Sequence, residues 1–153
     1  MKLQKAPINH TCLATSFAMV LGVDAEDLIS RCLNPHIVLW PQLEVPQCYR
    51  GSHIQEMIDY AWAMGYGVTE IQAMPMFGAL GCTETFPMTN NKALMERIKE
   101  YLVNNMGVIT SPTHAVAFYG DAVYDPKGMM YPIEEYTDTI QSLYLVEKRG
   151  GLD

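Results

Sequence analysis

The feature that most constrains this chain lies near its start, in Pro7-Ile-Asn-His-Thr-Cys-Leu-Ala-Thr-Ser-Phe-Ala-Met-Val-Leu-Gly22. From Leu13 to Leu21, small side chains at Ala14, Ser16 and Ala18 alternate with bulky ones at Phe17, Met19, Val20 and Leu21. The helix this predicts is buried nearly all round, and only its first turn reaches the surface. That turn carries Cys12. Asn9 or Thr11 is placed to cap it, and Gly22 to end it. A helix N-terminus presents unpaired N–H groups and a partial positive charge, which favour a thiolate. Cys12 is therefore a candidate nucleophile; the plainer alternative is a small apolar core residue.

A chain of 153 residues, 49% of them apolar, is long enough to bury a sizeable core and is expected to form one domain over 1–153, with 148–153 as a flexible tail. It has no run of about 18 apolar residues that would span a membrane. Its first ten residues lack the apolar core of a signal peptide, so the expected location is the cytoplasm. Cys12, Cys32, Cys48 and Cys82 form no CxxC pair, and in a reducing compartment they are expected as free thiols. A formal charge of −7 argues against nucleic acid and anionic membranes as partners.

After Gly22, acidic residues at Asp24, Glu26 and Asp27 open a second helix, Ala25 to about Cys32. Pro35, Pro41 and Pro46 make 34–51 irregular, and Trp40 within it is a candidate pocket wall. A third helix follows Ser52, with Gln55 at capping-box spacing, and stops at Gly65. Val68–Ala73 is a strand. Residues 74–88 form a loop of the length that often serves as a lid, with Phe77 a candidate substrate contact. A fourth helix runs from Lys92 to about Asn105. Strands are then expected at Val108–Pro112, His114–Tyr119, Ala122–Asp125 and Ser142–Glu147, with a polar and aromatic stretch over 127–139. This order predicts an α+β fold, with an N-terminal helical part packed on a small C-terminal antiparallel sheet.

Cysteine attack needs a thiolate, a base and a group that orients the base. His114 opens a strand, and Asp125 ends the strand that follows the tight turn at Gly120-Asp121. Residues of this hairpin pair when their numbers sum to about 241, so Asp125 is a diagonal neighbour of His114, at roughly 7–8 Å between backbones. A slip of one residue would move it to the other face. His10 is expected in a solvated loop, and His36 and His53 have no direct role. The histidines and cysteines show no zinc-ligand spacing, and no phosphate-binding glycine loop is present; no metal or cofactor is expected.

Asn9-His-Thr-Cys12, the helix to Leu21, and His114-Ala-Val-Ala-Phe-Tyr-Gly-Asp-Ala-Val-Tyr-Asp125-Pro126 together resemble the papain-like cysteine peptidase fold. The resemblance is nearest to the peptidase domains that process double-glycine leader peptides and their small bacterial and phage relatives. It covers the two ends of the chain and their order. It implies a thiol-dependent hydrolase, a peptidase or amidase on peptide or protein substrates, working through an acyl-enzyme. Cys12 would be nucleophile, His114 base and acid, and Asp125 the orienting carboxylate. The oxyanion would rest on the Cys12 N–H and a side-chain amide, in this family usually a glutamine about six residues upstream. Ala6 stands there, leaving Gln4 and Asn9 as candidates, and Leu13 replaces the usual glycine after the cysteine. Two alternatives follow: deamidation, transglutamination or acyl transfer on the same triad, or a catalytically weak module that binds and inhibits a partner protein.

Overall fold

The computed structural model describes residues 1–7, 11–32, 54–72 and 92–150. Helix α1 spans Cys12–Leu21, and Ala14 to Leu21 are all buried, as its lack of a polar face requires. Gly22 terminates it at φ 70°. The Gly22 N–H donates to Met19 O and the Val23 N–H to Ala18 O, the paired bonds of a Schellman cap. Helix α2 (Ala25–Cys32) starts immediately after. The Asp24 carboxylate accepts from the Glu26 N–H at 2.8 Å, so an acidic side chain caps its positive end. Helices α3 (Ile54–Ala63) and α4 (Lys92–Leu102) complete the described helices. None of the described helices is long and apolar enough to cross a membrane.

Six strands form one antiparallel sheet in the order β1-β6-β2-β3-β4-β5. They are β1 (Tyr66–Gln72), β2 (Met106–Thr110), β3 (Ala115–Tyr119), β4 (Ala122–Asp125), β5 (Met129–Pro132) and β6 (Ser142–Lys148). The β3–β4 hairpin pairs Ala117 with Tyr124, Phe118 with Val123 and Tyr119 with Ala122, the register expected from the Gly120-Asp121 turn.

Strand residues divide alternately between two cores. Val108, Ala115, Ala117, Tyr124, Tyr144 and Val146 pack with α1, α2 and α3. Ile109, Val116, Phe118, Val123, Leu143 and Leu145 pack with Ile98 and Leu102 of α4 and with Ile133, Tyr136 and Ile140. Burial on both faces explains why β3 is apolar without alternation. The alternation is one of size instead: alanines meet α1, which itself presents Ala14 and Ala18, and larger residues meet α4. Small faces let helix and sheet approach closely, so α1 touches both β2 and β3. The sheet is therefore an inner layer, which the order of elements along the chain does not reveal.

Two expectations need correction. The stretch 127–139 contains β5 and a 3₁₀ turn, Ile133–Glu135. Four residues ending in proline are a weak strand signal, but an edge strand tolerates proline. The chain is also not frayed from 148. Lys148 pairs with Tyr66, the Arg149 N–H donates to Gly65 O, and the Arg149 guanidinium lies 3.5 Å from the centre of the Trp62 ring.

Candidate active site

Cys12 is the first residue of α1, and its thiol is free and half-buried. Thr11 sits at the N-cap position with no side-chain cap bond. The Ser16 hydroxyl donates to the Cys12 carbonyl at 2.7 Å, tying the first turn to the second. The backbone N–H groups of Ala115 and Leu13 lie near enough to the sulfur to lower its pKa. The thiol thus faces the start of β3 rather than solvent alone.

His114 immediately precedes β3. Its backbone is held by one residue: the Ser111 N–H donates to the His114 carbonyl at 2.8 Å, and the His114 N–H donates to Ser111 Oγ at 3.0 Å. The Tyr136 hydroxyl lies near Ser111, which lowers the tyrosine's otherwise raised pKa. A Ser-Pro-Thr-His run is a legible turn signal, but that this serine fixes the histidine follows only from the fold. The imidazole Nε2 lies 2.8 Å from Asp125 Oδ1, with both side chains largely buried. Cys12 is also among the groups that raise the His114 pKa, so the thiol lies near the ring.

Asp125 closes β4 and opens the turn to β5. Its Oδ1 also accepts from the Lys127 N–H at 2.9 Å, and its Oδ2 from the Tyr131 hydroxyl at 3.2 Å. Asp125 shares strand parity with Val123 of the second core, whereas Cys12 heads the helix on the first. His114 links the two around the end of the sheet. The lead-in is pinned to the same turn, since the Ala6 N–H donates to Pro126 O at 2.7 Å.

These contacts shift the three groups together. The Asp125 hydrogen bond, then that of Cys12, raises His114 to about 9 against an opposing effect of burial. Burial pushes the Cys12 thiol up, but His114 and the Ala115 and Leu13 N–H groups outweigh it and leave the thiol below its ordinary value. Burial likewise pushes Asp125 up, and His114, the Lys127 N–H and Tyr131 hold it below the usual carboxylate value. The net direction favours thiolate, imidazolium and carboxylate in a row.

Gln4 is not at this site, which corrects the expectation of an oxyanion role. Its Nε2 donates to Val23 O at 2.6 Å and its Oε1 accepts from the Ala25 N–H at 2.8 Å. Both partners lie beyond the foot of α1. A ten-residue helix puts that foot about 15 Å from Cys12. Asn9, Trp40, Phe77, the 74–88 loop, His10, His36 and His53 lie outside the described residues. Among the described residues no three His, Cys, Asp or Glu side chains group as metal ligands would.

No protein-family model and no curated protein matches this chain. Among solved structures it is similar to the crystal structure of a double glycine motif protease from an AMS/PCAT transporter in complex with the leader peptide. The match has a TM-score of 0.54 and 20% identity, and covers 97% of this chain and 91% of that one. At that identity the likeness is one of fold: the chain has the α+β, papain-like architecture expected from its two ends.

Proposed function

We propose that this protein is a thiol-dependent hydrolase, a peptidase or amidase that cleaves a peptide or protein substrate through an acyl-enzyme. The observation that carries this reading is the His114–Asp125 pair, 2.8 Å apart, set against the Cys12 thiol at the first turn of a buried helix and lowering that thiol's pKa. The structural likeness to a double glycine motif protease bound to a leader peptide supports a peptide substrate.

The Cys12 thiolate attacks the scissile carbonyl carbon, forming a C–S bond while the carbonyl π electrons move to oxygen. That oxyanion rests against the Cys12 N–H at the positive end of α1, and Asn9, outside the described residues, remains the side-chain candidate. Collapse of the intermediate breaks the C–N bond, and the His114 imidazolium gives its proton to the leaving amine. The now neutral imidazole takes a proton from water, whose oxygen attacks the thioester. Release of the acid restores thiolate and imidazolium. Asp125 keeps the ring oriented and its charge compensated throughout.

Gln4 favours a second reading, in which the chain keeps the fold and binds a partner without turnover, because its amide is engaged far from the thiol. Covalent labelling with a thiol-directed acyl probe separates the two. Labelling at Cys12 that Cys12→Ala abolishes, in a variant that still folds, is the expected result. Undiminished labelling in Cys12→Ala would overturn the hydrolase reading, and an unreactive wild-type thiol would favour the binding one. For a turnover-competent protein, product mass distinguishes a cut from deamidation or acyl transfer, which share the attack step.

A further inference from the structure

We infer that Tyr131 is a positioning residue for the proposed reaction, its hydroxyl fixing the Asp125 carboxylate in the orientation that faces His114. This rests on the triad reading above. Tyr131 lies opposite Val123 on the outermost strand, and Asp125 opposite Met129, so Tyr131 is a diagonal neighbour on the same face as the carboxylate. Asp125 Oδ1 carries both the His114 contact, at 2.8 Å, and the Lys127 N–H, at 2.9 Å. The carboxylate torsion is soft and roughly two-fold, so contacts to one oxygen leave the plane of the group free to turn. The Tyr131 hydroxyl holds the other oxygen at 3.2 Å. Asp125 is only 4% exposed, so water is poorly placed to substitute for it.

The hydroxyl is suited to this duty. Burial, then the Asp125 charge, pushes the Tyr131 pKa well above its ordinary value, so the group stays a donor wherever an enzyme of this kind would work. Among the described residues, a small set of titratable groups bears on the pair. Asp138 and Tyr136 face Tyr131, and His114 and Tyr136 face Asp125, with Cys12 beyond the imidazole. The ring also packs against the second core, so phenylalanine keeps its place and removes the hydroxyl alone.

Loss of that donor leaves a buried carboxylate oxygen unpaired and the anion less favoured. The His114 imidazolium, whose largest support is Asp125, must then titrate lower. The experiment is an NMR titration of the His114 ring in the full-length protein, with Tyr131→Phe and Asp125→Asn compared to wild type. One hydrogen bond to a buried charge predicts a downward shift of about half to one pH unit in Tyr131→Phe, with a thermal unfolding midpoint within about 4 °C of wild type. Asp125→Asn should shift the titration further. A large shift in Asp125→Asn with none in Tyr131→Phe would overturn the role of Tyr131. An unmoved His114 in Asp125→Asn would instead remove the triad reading beneath it. A role limited to packing predicts no shift in Tyr131→Phe, because the ring remains.

Discussion

At its head, α1 presents a half-buried thiol to an imidazole and to two backbone N–H groups; at its foot, it is closed by the Schellman bonds of Gly22 and Val23 and by the neutral Gln4 amide. The apolar helix between is the same. The foot has its carbonyls answered by fixed, uncharged donors, and no group there needs to change protonation state. The head keeps three groups whose charges support one another only while His114 is protonated. A groove of about 520 Å³ beside the foot, lined by Met1, Gln4, Leu21, Tyr66 and Tyr119 among others, gathers no such set. Concavity alone does not distinguish the two ends; the coupling of Cys12, His114 and Asp125 does.

The strongest way to break this contrast is to remove the imidazole. His114→Ala deletes the group that most lowers the Cys12 thiol and leaves the burial that raises it. Probe labelling at neutral pH should fall by about 10²–10⁴-fold, the usual scale for a lost general base. A variant that labels within a few-fold of wild type would show that the helix head alone activates the thiol. The wild-type profile sharpens the same point. The reactive form is thiolate with imidazolium. Thiolate is gained as pH rises through the depressed Cys12 value, below 9.0, and imidazolium is lost as pH rises through about 9. Turnover should therefore be bell-shaped, with its alkaline limb near 9. A limb near the ordinary histidine value would mean that Asp125 does not support His114 in solution.

Much of the head is legible in the amino-acid sequence. The buried helix begins at Cys12 and ends at Gly22 as its side-chain sizes and glycine require. The two-residue turn sets a register sum of 241, which alone brings Asp125 beside His114. Local signals carry both. The foot is not legible, because Gln4 bonds residues 19 and 21 positions away and nothing local in Met-Lys-Leu-Gln marks that. The resemblance suggests an oxyanion role for Gln4, and tertiary placement sends it to the opposite end. Ser111 and Tyr131 are hidden for a related reason. Each acts through another residue, and a hydroxyl in a turn or an edge strand has no distinctive spacing. The strand that carries Tyr131 does have a signal, since Asp125-Pro-Lys-Gly128 is a strong turn that predicts a strand on either side.

Gln4→Ala tests the foot with a smaller effect. It removes the donor to Val23 O and the acceptor for the Ala25 N–H, both partly buried. A loss of about 1–3 kcal/mol in unfolding free energy is expected, read as a lower denaturant midpoint at constant slope. The labelling rate per folded molecule should stay within about two-fold of wild type, given the roughly 15 Å that separates the ends. A large drop in rate with little change in stability would return Gln4 to the oxyanion role.

The smallest effect belongs to Gly22. Its φ of 70° is left-handed, and a Cβ placed there meets nothing within 4 Å. Any cost of Gly22→Ala is therefore conformational rather than steric, about 1 kcal/mol. Gly22→Asn should recover part of it, because a short polar side chain tolerates this region better than alanine does. If both variants lose several kcal/mol, the turn is held by more than its backbone angles, and the Gln4 bonds to Val23 and Ala25 depend on it. If only alanine loses stability, by about 1 kcal/mol, and neither variant changes the thiol, the foot of α1 is a passive cap whose chemistry is independent of the head.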